Sequence, residues 1–135
     1  MKMYEVTRHD QIEALVEAKR LISSKESWTQ GEFARDSDGQ VCSPYSKDAV
    51  CWCAQGAINA ACEKVFNGKM ELSSLYHAMA RNNLGHVVNQ TNSGWVYLDE
   101  YNDDPETTHG DVIKAFSEAI EFVKDRQRKE SEEGQ

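Results

Sequence analysis

The chain has 135 residues, 39% of them hydrophobic, and a formal net charge of −8, which bounds it to one folded domain with a real core. A field of that sign repels polyanions, so a nucleic-acid polymer is disfavoured as a partner, while a small anion held by a local arginine or a helix N-terminus stays open. No apolar run approaches the ~18 residues needed to cross a bilayer, and residues 1–5 lack the apolar stretch of a secretory leader, so we expect a cytoplasmic protein with no membrane partner.

The first element reads as a helix from Asp10 to Ser24. Ile12, Leu15, Val16, Lys19 and Ile22 follow three-four spacing, and Asp10 with Glu13 has the form of a capping box. Ser23 to Gln40 reads as irregular or extended, anchored by Trp28, Phe33 and Ala34. Asp36-Ser37-Asp38-Gly39 is a turn signal. Its flanks, 31–35 and 40–42, would pair as a short hairpin that must lean on helices. A second helix then follows, with Ser46 as expected N-cap, running through the apolar stretch Val50 to Cys62 and ending near Phe66. It is apolar nearly all round, so we expect it to be the central buried helix. Gly56 in its middle costs about 1 kcal/mol relative to alanine, so another backbone or a ligand is expected to approach it closely.

A third helix is expected from Ser73 to Asn83, stopped by Gly85, before a polar loop at 89–94. Trp95 to Tyr101 alternates like an extended strand. The fourth helix starts at Thr108, where Thr108 with Asp111 forms a capping box. Val112, Ile113, Phe116, Ala119, Ile120 and Val123 trace its apolar face. Residues 1–126 therefore form the domain, and 127–135 a charged tail expected to be disordered. The fold class is mainly α, at the margin of α+β: about four helices around a central apolar helix, with a short hairpin or extended segments.

Three motifs stand out in order: Trp28-x-x-Gly31-x-x-Ala34-Arg35-Asp36, Cys51-Trp52-Cys53-Ala54-x-Gly56-Ala57-Ile58, and Tyr101-Asn102-Asp103-x-Pro105-x-Thr107-Thr108. Together, over residues 10–123, they resemble a family of small proteins of unknown function from bacteriophages and actinobacteria. The resemblance supplies no activity. It implies a phage origin, an intracellular setting and convergence of the three segments.

The candidate chemistry is sparse. The four cysteines, Cys42, Cys51, Cys53 and Cys62, match no zinc spacing and read as small buried apolar residues. We expect no metal and no cofactor, since phosphate-binding and dinucleotide-binding glycine motifs are also missing from the sequence. Cys53 or Cys51 with His109 and Asn102 or Asp103 would make a nucleophile set for a cysteine hydrolase or transferase, but no oxyanion loop accompanies it. The leading expectation is a non-enzymatic protein that binds a small polar, phosphate-bearing, nucleotide-like ligand, in its sharpest form a sponge for a nucleotide immune signal. Arg35 and the start of the fourth helix (Thr107, Thr108, His109) would hold the anion. Trp28 or Tyr101 would stack, and Asn102 and Asp103 would take hydroxyl or amino groups. Asp36, Cys53 and Gly56 complete the candidate site. A second expectation is an accessory protein that binds and inhibits a host protein. A homo-oligomer fits either.

Overall fold

A computed structural model of the chain describes residues 7–66, 82–90 and 97–133. It is mainly helical with one small sheet. Helix α1 spans Arg8–Leu21, α2 Ala54–Phe66, α3 residues 82–90, α4 Leu98–Asp103 and α5 His109–Glu133. Strands β1 (Ala34–Arg35) and β2 (Cys51–Trp52) pair antiparallel, with Ala34 opposite Trp52 and Arg35 opposite Cys51.

The capping residue of α1 is Thr7, whose hydroxyl accepts the Asp10 N–H at 3.0 Å, so the helix starts earlier than the Asp10–Glu13 pattern suggests. Its buried stripe is Gln11, Ala14, Leu15 and Ala18, continued by Ile22. The helix is rotated from the expected face, and Val16 points to solvent. Ala14 and Ala18 explain the rotation: small side chains let α1 lie close on α2 and α5, its two main neighbours. Gln11 is buried with them and accepts from Asn83 Nδ2 at 2.9 Å, which ties α1 to α3.

Helix α2 begins at Ala54, not after Ser46. Ser46 caps only a local turn, accepting the Asp48 N–H. The residues between are drawn into the sheet because Val50 N–H donates to Arg35 O and Cys53 N–H to Phe33 O. The expected turn at 36–39 is present: Gly39, at φ +79°, closes it, and Asp36 Oδ1 accepts from the N–H groups of Asp38 and Gln40. The expected hairpin partner contributes one bridge, Arg35 to Val41, while the paired strand is β2. Phe33 is no buried anchor; it stands half-exposed.

Gly85 lies inside α3 and does not stop a helix there, and residues 89–90 are helical, not loop. The third helix expected at 73–83 falls almost wholly outside the described residues, as do Trp95 and Val96. Leu98 to Tyr101 is helical, not extended. Leu98, Tyr101 and Asn102 sit at i, i+3 and i+4, with Leu98 and Asn102 buried. Helix α5 continues past Arg126 to Glu133, and Arg8 pairs with Glu130 at 2.9 Å. The core is closed by Leu15, Ile22, Ile58, Leu84, Val88, Val112, Phe116 and Val123. Burying Phe116 alone is worth about 2–3 kcal/mol.

Candidate functional site

The N-terminus of α2 is the point where the three motifs meet. Cys53 is its capping residue: its carbonyl accepts the Ala57 N–H, and its Sγ accepts the Gly56 N–H at 3.2 Å. The next free donor of the helix, Ala54 N–H, is taken by Asn102 Oδ1 at 2.9 Å. Asn102 is fully buried and uses its whole hydrogen-bonding capacity. Its Oδ1 also accepts Trp28 Nε1–H at 2.8 Å. Its Nδ2 donates to Thr29 O at 3.1 Å and Asp103 Oδ1 at 2.9 Å. Asp103 Oδ1 in turn accepts the Gly31 N–H at 2.8 Å, where Gly31 turns the chain at φ +86°. Gln30 Nε2 closes the frame by donating to Asn102 O and Asp104 O at the end of α4.

Gly56 lies at this junction because nothing larger fits. A Cβ there would come within 2.0 Å of Phe33 O, so the close approach expected from the sequence is that of the 28–35 loop.

The start of α5 is a second, adjacent junction. Thr108 and Asp111 form the reciprocal capping box, with Thr108 N–H donating to Asp111 Oδ2 and Asp111 N–H to Thr108 Oγ1. His109 Nε2 lies 2.6 Å from Ile22 O at the end of α1. A carbonyl only accepts, so Nε2 carries the proton. The imidazole sits 6.0 Å from the Trp28 ring, tilted by 46°. Thr107 N–H donates to Asp104 O in the intervening turn. Trp28, Cys53, Gly56, Asn102, Asp103 and His109 are thus brought together.

Arg35, Asp36 and Tyr101 are not part of that cluster. Arg35 Nε donates to Thr29 Oγ1 and Nη1 to Gly39 O, so it ties the 36–39 turn to Thr29, whose carbonyl accepts from Asn102 Nδ2. Asp36 forms that turn. Tyr101 lines a different hollow of about 140 Å³ with Val87, Val88, Asp111, Lys114, Ala115 and Glu118. Burial there pushes its phenol pKa up, and Asp111 and Glu118 add to the effect.

The thiol chemistry is weak in the same terms. Burial pushes the Cys53 thiol up; the Gly56 N–H opposes this, and Asp103 reinforces it. Burial drives Cys62 up to about 12. His109 is bonded to Ile22 O, and Asn102 orients Trp28 in place of a catalytic base. Among the described residues no hydrogen bond joins the Cys51 or Cys53 thiol to His109. Cys51 lies on β2 and Cys53 caps α2, so the two are not helix neighbours. Among the described residues no group of three or more His, Cys, Asp or Glu could hold a metal ion.

Beside the Asn102 junction is an open hollow of about 130 Å³ lined by Gly31, Glu32, Phe33, Cys53, Asp99 and Asp103. Glu32 and Asp99 make no ion pair among the described residues. Sequence reasoning missed Gly31, Glu32, Phe33 and Asp99 as lining residues. Gly31 was visible as a motif glycine, but Asp99 depended on recognising α4.

A family model matches the chain over residues 6–122, and its description is a family of unknown function. No curated protein and no solved structure matches the chain.

Proposed function

The chain belongs to the family of unknown function DUF6197, a membership that names no activity, and from its own geometry we propose a non-enzymatic binding protein whose working face surrounds the Glu32–Asp99–Asp103 hollow. One observation carries this reading. Where the three motifs meet, the polar groups are spent on one another around Asn102, while the hollow beside them stands open. Acid–base and nucleophilic catalysis need groups free to act. A binding face needs a rigid frame behind it.

Size and charge favour a protein as the occupant. About 130 Å³ is well under the roughly 300–1,000 Å³ of sites that enclose a whole small ligand. The hollow suits one projecting group. A protein partner would supply that group and also cover Phe33, Val41, Tyr45 and Val50, all about half-exposed on the loops around the small sheet.

A nucleotide-like ligand is the second reading. Carboxylate oxygens of Asp99 and Asp103 would accept from base amino or ribose hydroxyl groups, leaving the phosphates in solvent and away from these acids. In the phage setting that the sequence resemblance implies, the first reading is an accessory protein inhibiting a host protein in the bacterial cytoplasm. The second is a counter-defence sponge for a nucleotide signal. A homo-oligomer would enlarge the hollow in either.

The test joins a pull-down from host extract to thermal-shift screening with nucleosides and nucleotides. A host protein retained by the wild type and lost with Phe33→Ala supports the first reading. Stabilisation by nucleosides with no retained protein supports the second. Neither response would remove the binding reading.

A further inference from the structure

The backbone at Phe33 is clamped to the start of α2. Its carbonyl accepts the Cys53 N–H at 3.1 Å, and Gly56 packs directly beneath it. The half-exposed aromatic side chain therefore rises from a fixed base at the wall of the hollow. An aromatic presented this way binds at little entropic cost.

The α4 side of the hollow is acidic, while Arg35 is a nearby cation, its Nη2 3.9 Å from where a Cβ on Gly31 would stand. Residues 97–113 carry Asp99, Glu100, Asp103, Asp104, Glu106 and Asp111 with no lysine or arginine. Every ion pair among the described residues lies on α1, α2 or α5 instead. Glu32 lines the same hollow as Asp99 and Asp103.

We infer that the hollow seats a lysine or arginine side chain of a partner protein, with a neighbouring apolar residue of that partner packed on Phe33. The inference rests on the protein-partner reading above and gives the partner its chemistry. A long basic side chain matches the hollow on three counts. Its cationic head meets the Glu32, Asp99 and Asp103 carboxylates. Its methylene stem lies against the Phe33 ring, and its cation is attracted to that ring's face. Its bulk fits a space too small for a whole nucleotide. Asp103 is already committed to Gly31 and Asn102 through Oδ1, so Glu32 and Asp99 are the carboxylates to alter without disturbing the frame.

The test is an NMR titration of the full-length ¹⁵N-labelled chain with short synthetic peptides. One set carries a single lysine or arginine between apolar residues; matched sets carry glutamine or glutamate in its place, and a nucleoside is run alongside. The basic peptides are expected to shift Gly31, Glu32, Phe33, Asp99 and Asp103, with affinity falling as salt rises. The double variant Glu32→Gln, Asp99→Asn should weaken them about tenfold, and Phe33→Ala should weaken them independently of salt. Basic peptides that leave these residues unmoved, or that bind the double variant equally well, overturn the inference. If a neutral or acidic peptide or the nucleoside moves the same residues instead, the binding face survives and only the cationic occupant is lost. If no member of the panel moves them, both fall.

Discussion

Gly56→Ala separates local propensity from tertiary fit. Gly56 is the third residue of α2, and alanine in place of a helical glycine should stabilise the helix by up to about 1 kcal/mol. The added Cβ, however, would lie 2.0 Å from Phe33 O, 2.9 Å from Phe33 C and 3.3 Å from Phe33 Cα. These are backbone atoms and cannot swing aside as a side-chain tip would. The loop must lift from the helix, straining or breaking the 3.1 Å hydrogen bond from Cys53 N–H to Phe33 O. Overpacking of this kind costs roughly 1–3 kcal/mol and the hydrogen bond about 1 more. The net expectation is a destabilisation of about 2 kcal/mol, or about 7 °C in Tm for a chain of this length. Gly85→Ala is the matched control, because nothing lies within 4 Å of a Cβ added there inside α3. It should stabilise by up to about 1 kcal/mol. Urea unfolding followed by circular dichroism reads both. A Gly56→Ala protein at least as stable as wild type would refute the close-packing argument.

Asn102→Ala removes the acceptor for Trp28 Nε1–H and Ala54 N–H and the donor to Thr29 O; at about 1–3 kcal/mol for each orphaned buried group, urea unfolding should register a loss of about 4 kcal/mol, and a loss below about 1 kcal/mol would contradict its central role. Cys42, Cys53 and Cys62 should alkylate with iodoacetamide more slowly than a free thiol at neutral pH, because burial pushes all three pKa values up; fast labelling of Cys53 would revive thiol catalysis. The Glu17 pKa is lowered, chiefly by the hydrogen bond from Arg20, against a desolvation cost and with help from Lys64. A depressed carboxylate pKa contributes stability above its unfolded value of 4.5 that is lost as pH falls through the lower folded value. Glu17→Gln should therefore cost about 0.5–1 kcal/mol at neutral pH, and the difference from wild type should close at strongly acid pH.

The sequence made α1, α5 and the Thr108–Asp111 box legible because periodicity and capping are local signals. It also revealed that something must approach Gly56, since a glycine inside an apolar helix pattern has a cost that needs a reason. Other elements were hidden for physical reasons. Val50 to Cys53 belongs to an unbroken apolar run with no period, so the switch from strand to helix at Cys53 is fixed by pairing with Ala34–Arg35 and by Asn102 capping Ala54. Trp95 to Tyr101 alternates like a strand, yet Leu98, Tyr101 and Asn102 also fall at helical spacing; so short a stretch cannot decide between them without its partners. The convergence of the motifs around α2 was a consequence of the resemblance. The identity of the hub was not: Asn102 reads locally as a turn residue, and nothing in its neighbours' sequence shows that it would be buried with four partners. Arg35 bonds Thr29 and Gly39, an arrangement that nothing in its local sequence shows.

Whether the face around Phe33 binds a partner protein, as proposed, is tested most directly by site-specific photo-crosslinking in cells that express the protein. A benzophenone side chain replaces Phe33 in one variant and the half-exposed Val16 on α1 in another, and the adducts are read by mass spectrometry. A protein adduct is expected at position 33, mapping to a segment with a basic residue, with no matching adduct at position 16. An adduct at position 16 with none at 33 would contradict the proposal.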